Sequence, residues 1–92
     1  MATIEFTNQK ASQSLNGQAV IVTVADDEVD DMQTISEGML ASNGSSSKTG
    51  LVRRVDYYGK SFQVEPIQMD KNFESQGTYG YLAVNEAVII TL

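Results

Sequence analysis

Residues 51–66 read LVRRVDYYGKSFQVEP. Leu51 to Tyr58 and Ser61 to Glu65 are two runs rich in Val, Tyr and Phe. Gly59-Lys60 separates them, with glycine at the first position of a two-residue turn. This is the pattern of a β-hairpin. With Gly59 and Lys60 as the loop, Tyr57 falls opposite Phe62, Val55 opposite Val64 and Arg54 opposite Glu65. Aromatic, β-branched and opposite-charge pairs coincide in this one register, and a slip of one residue breaks all three. Pro66, the only proline, ends the second strand or confines it to an edge.

Moving toward the N-terminus, Asp26 and Asp27 read as a helix N-cap. From Glu28 to about Ala41, Val29, Met32, Ile35, Met39 and Leu40 share one stripe of an amphipathic helix. Asn43-Gly44 supplies its stop, and residues 45–50 form a polar loop. Before it, Gln18 to Ala25 alternates Val20, Val22 and Val24 against Ala19, Ile21 and Thr23. Apolar residues on both sides suggest a strand covered on both faces. Ala2 to Gln9 puts Ile4 and Phe6 on one side and is a half-buried strand, and Asn16-Gly17 is a turn signal. Toward the C-terminus, Ile67 to Gln76 is irregular, with Met69 and Phe73 as anchors. Tyr79 to Val84 and Ala87 to Leu92 then flank Asn85-Glu86, as a closing hairpin or one long strand. Both faces of this last run are apolar, so it is either central in the sheet or covered by another subunit.

These elements define one α+β domain over residues 1–92. It is a small, mainly antiparallel β-sheet with one amphipathic helix (about 28–41) packed on it. An all-β sandwich or barrel with a helical insertion is the alternative.

The 92 residues contain no His, Cys or Trp. Imidazole and thiolate chemistry, disulfides and thiolate zinc sites are therefore excluded. Twelve Asp and Glu against six Lys and Arg leave a charge of −6 and a pI near 4.3. That balance opposes phosphate-backbone binding and anionic membrane surfaces. No apolar run is long enough to span a bilayer, and Met1 to Lys10 lacks the basic head and apolar core of a secretory signal. No nucleic acid, membrane, cofactor or metal is expected. A cytoplasmic or virion setting fits this reading.

Several motifs match only in part. Asp26, Glu28, Asp30 and Glu37 occupy four positions of a calcium loop, but Asp31 stands where glycine is needed and a Val-rich run precedes. Acids at a helix start have a simpler cause in the helix dipole. Asp27-Glu28-Val29-Asp30 matches a caspase tetrapeptide inside a predicted helix. Ser45 to Gly50 contains S-x-x-K and K-T-G overlapping on Lys48, and lacks the glycine before Lys48 that a P-loop requires. Asn43-Gly44-Ser45 is a glycosylation sequon that reads as a plain loop. Arg53-Arg54 reads as structural, with Arg54 paired to Glu65 across the hairpin.

Ser, Thr, Asn and Gln make up 28 of the 92 residues. Polar but weakly charged surfaces suit interfaces that avoid desolvating charge. The reading that follows is a non-enzymatic structural or interaction protein, assembling with itself or another protein through β-sheet contacts. Its broad composition resembles that of small virion subunits such as capsid decoration or cement proteins. Tyr58, Tyr79, Tyr81, Val88, Ile90 and Leu92 are the expected interface residues. The alternative is an acidic inhibitor that occupies a basic surface of another protein with Asp26, Asp27, Glu28, Asp30, Asp31 and Glu37. An enzyme using hydroxyls and carboxylates is a third reading, and adjacent acids on a solvated helix end offer little of the burial it needs.

Overall fold

The computed structural model describes residues 2–15, 18–43, 49–67 and 78–92. The expected turn at Asn16-Gly17, residues 45–48 of the expected loop at 45–50, and the anchors Met69 and Phe73 lie outside the described residues; Thr49 and Gly50, expected in that loop, belong to a strand.

Eight strands follow the chain: β1 Thr3–Thr7, β2 Ser12–Leu15, β3 Val20–Thr23, β4 Leu40–Ser42, β5 Thr49–Asp56, β6 Ser61–Pro66, β7 Thr78–Leu82 and β8 Ala87–Thr91. Between β3 and β4, a 3₁₀ turn Asp26–Glu28 runs into the short helix α1, Val29–Met32. Six strands form one antiparallel sheet in the order β1-β8-β4-β5-β6-β3, and β2 pairs with β7 separately. The fold class is α+β, mainly antiparallel, with little helix.

Period-2 patterning explains the core. Phe6, Val20, Val22, Ala41, Val52, Phe62, Val64, Val88 and Ile90 point inward from the sheet. Val24, Met32, Ile35, Tyr81 and Leu82 complete the same cluster. Phe6 and Phe62 come from strands at opposite sides of the sheet. They nevertheless meet edge to face with ring centroids 5.6 Å apart. The sheet is therefore curled, and its two edge strands touch at one end, where the Gln9 amide donates to the Thr23 carbonyl at 2.6 Å.

Asn8 fastens that closure. Wholly buried, it accepts on Oδ1 from the amides of Lys10 and Thr23 and donates from Nδ2 to the Ala83 carbonyl, all at 3.3 Å. Its own backbone bonds Glu86 and Asn85. One side chain thus satisfies groups from the segment after β1, from β3 and from the turn before β8.

Four expectations are corrected. First, the helix covers residues 26–32, and residues 33–41 leave it. Gly38 turns the chain at φ 92°, and Leu40–Ser42 enters the sheet between β8 and β5. Ala41 fits that narrow slot facing Gly50 and Ile90, so a tertiary vacancy overrides the local helical pattern. Second, the hairpin loop has four residues, Tyr57–Lys60. Val55 pairs with Phe62 and Asp56 with Ser61, and a bulge between Val52 and Arg54 shifts the register. Asp56 at the first turn position and Gly59 at the fourth are the signature of a type I turn. The Asp56 carboxylate accepts from the Gly59 amide at 2.9 Å. Third, β7 and β8 form no hairpin: β7 pairs with β2, while β8 lies between β1 and β4. Fourth, β3 is covered on one face, and Ile21 on the other is 53% exposed.

Candidate interaction surface

The turn between β5 and β6 carries two exposed tyrosines, Tyr57 and Tyr58. Tyr57 is tied back, its hydroxyl donating to the Ile35 carbonyl at 3.2 Å. Lys60 occupies the left-handed region at φ 56° and forms an ion pair with Asp26 at the head of the helical segment. The Asp56 carboxylate closes the turn from within. On this braced frame Tyr58 is 100% exposed. The two tyrosines alternate in role because the turn sends consecutive side chains apart.

Beside the turn runs an open groove of about 570 Å³, lined by Ile35, Ser36, Glu37, Arg53, Arg54, Val55 and Tyr57. Its two arginines stand together because of the bulge. In a regular strand they would alternate, but here both are exposed. Arg53, and not Arg54, bonds Glu65, with Nε 2.6 Å from Oε2. Both partners are near half exposed, so the pair contributes at most about 1 kcal/mol.

On the outer face, Leu40 lies across from Leu51 on one side and Thr91 on the other. Leu40 is 46% and Leu92 47% exposed. Tyr81, Val88 and Ile90, expected at an interface, are fully enclosed by the protein's own core. Strand β8 is central in the sheet, which was one of the two resolutions of its apolar character, and its inner face needs no second subunit. Ala87, Ile89 and Thr91 on its outer face are half-buried. The Tyr79 side chain lies outside the described residues. Burial, and secondarily the charge of Glu86, pushes the Tyr81 phenol well above the usual tyrosine range. Its hydroxyl faces the Ala41 carbonyl at 3.5 Å.

The acidic residues divide into two groups. Glu28 turns inward, both carboxylate oxygens accepting from the Thr7 amide at 3.2 Å, and Oε2 also accepting from the Ala25 amide at 3.4 Å. Asp26 is bound to Lys60. Asp27, Asp30, Asp31 and Glu37 are exposed. Among the described residues, no group of three or more acids could hold a metal ion.

Asn8, Glu28 and Ile21 escaped the sequence reading in these roles. An asparagine continuing the inward positions Ile4 and Phe6 was the available signal for Asn8. Glu28 carried none, since its partner, the Thr7 amide, is 21 residues away. The chain matches no protein-family model, no curated protein and no solved structure.

Proposed function

We propose that this protein is a non-enzymatic structural subunit that assembles through its sheet and the tyrosine turn, in the manner of a decoration or cement component. The observation that carries the reading is Tyr58, fully exposed on a turn fixed by Asp56, by Lys60 with Asp26, and by Tyr57 with Ile35. An exposed aromatic on a preorganised turn loses little conformational entropy on binding, and tyrosine is enriched among residues that dominate interfaces. The neighbouring groove supplies Arg53 and Arg54, the other enriched type.

Native mass measurement across concentration and salt tests this. A salt-insensitive oligomer is expected, and Tyr58→Ala should weaken it by about 2 kcal/mol without changing the melting temperature of the dissociated subunit at high dilution. A monomer at every concentration that is captured by a basic protein in a strongly salt-dependent way would instead favour the acidic inhibitor. For that role Glu28 is already committed to the Thr7 amide and Asp26 to Lys60.

A further inference from the structure

We propose that the free edge of β1 pairs antiparallel with the same edge of a second copy, about a two-fold axis through Ile4. The inference rests on the self-assembly reading above, but uses a different surface from the tyrosine turn.

Strand β1 is the first strand of the six-stranded sheet and has β8 on one side only. The Leu92 amide donates to the Ala2 carbonyl and the Asn8 amide to the Glu86 carbonyl, each at 3.0 Å. Even-numbered residues of β1 therefore direct their backbone groups to β8, and odd-numbered residues direct theirs outward. Two of those outward amides are occupied: Thr7 by the Glu28 carboxylate and Gln9 by the Thr23 carbonyl. Thr3 and Glu5 remain, both exposed. The open edge is thus a short stretch with a fixed end, bounded by Glu28.

Charge and geometry select one register. Outward residues must face outward residues, so Thr3 and Glu5 pair with Thr3 or Glu5 of the second copy. Glu5 opposite the partner's Glu5 sets like charges across the pair. Sliding further along would require Thr7, which Glu28 holds. Thr3 opposite the partner's Thr3 would pair only that one of the two outward residues, with two backbone hydrogen bonds, whereas Thr3 opposite the partner's Glu5 satisfies both amides and both carbonyls of each copy, giving four. This register places Ile4 opposite the partner's Ile4 at a close, non-hydrogen-bonded position. Ile4 packs against the core of its own subunit while remaining partly accessible. Pairing would join the two six-stranded sheets and shield Ile4 between them. The same patch serves both copies, which is what a two-fold interface requires.

The protein has no cysteine, so Ile4→Cys introduces a unique thiol. The separation of facing residues in a close antiparallel pair suits a disulfide. Under mild oxidation, Ile4→Cys is expected to form a covalent dimer roughly tenfold faster than Ile21→Cys, which is exposed on β3. Glu5→Pro removes an outward amide and leaves the β8 ladder intact. It should weaken association roughly tenfold, with the melting temperature of the dissociated subunit at high dilution nearly unchanged. If the protein is oligomeric but Ile4→Cys links no faster than Ile21→Cys, the edge pairing is wrong while assembly through the turn survives. An unaffected association constant for folded Glu5→Pro has the same meaning. A protein that stays monomeric at every concentration overturns both proposals.

Discussion

At Gly50 the structure leaves no room for a side chain. A Cβ there would collide with Val64 Cγ1, lie 2.6 Å from the Glu65 carbonyl oxygen and sit 3.0 Å from the Tyr81 hydroxyl. Two of these neighbours belong to the adjacent strand and cannot withdraw without breaking its pairing. Gly50→Ala is expected to cost about 3 kcal/mol, read as a melting temperature lowered by roughly 10–20 °C. Tyr81 makes a different prediction. Its folded phenol titrates above the unfolded value of 10.0, because burial and then Glu86 disfavour the phenolate. A group shifted upward contributes stability that is complete below its unfolded pKa and lost as pH rises beyond it. Thermal melts should therefore fall progressively above about pH 10, and Tyr81→Phe should reduce that alkaline loss while changing the neutral-pH melt little. A wild-type and variant pair with identical alkaline slopes would show that Tyr81 is not the group responsible.

Among elements, the junction of β1, β3 and the turn before β8 depends on Asn8. Asn8→Ala removes a wholly buried side chain and leaves the half-buried Thr23 amide without its partner, while the Ala83 carbonyl keeps the Glu86 amide. The expected loss is about 2–3 kcal/mol, measured by urea unfolding. It should be accompanied by faster hydrogen exchange at Thr23. Glu28→Ala uncovers the Thr7 amide and should cost about 1–2 kcal/mol, and it lengthens the open edge of β1 by one outward residue. The hairpin shows how much of an element can be read locally. That the two runs around Gly59 are antiparallel strands followed from composition alone. The four-residue loop was also written in the sequence, in Asp56 and Gly59 at type I spacing, but the match of three side-chain pairs favoured the shorter loop. The bulge at Arg53 was not legible, because a bulge is set by how the neighbouring strands demand curvature.

For the whole molecule, β8 is held by β1 and β4 and carries Val88 and Ile90 into the core. Its amides should exchange slowest, while those of Thr3 and Glu5 exchange fast in the monomer and slow with concentration if the edge pairs. Sequence alone determined that Ile4 and Phe6 share one side of β1 and Val20, Val22 and Val24 one side of β3, that the protein is mainly antiparallel with a helical segment beginning near Asp26, and that imidazole and thiol chemistry is missing. These are legible because burial alternates with a local period and side-chain chemistry is intrinsic to each residue. Only the tertiary structure decided that the helix stops at Met32, that Leu40–Ser42 becomes a strand, and that Tyr81, Val88 and Ile90 are core while Ile21 faces solvent. Each of those outcomes depends on which distant strand lies alongside. A helical stripe and a strand slot compete for the same residues, and the free energy of filling the gap between β5 and β8 is not encoded within any one segment.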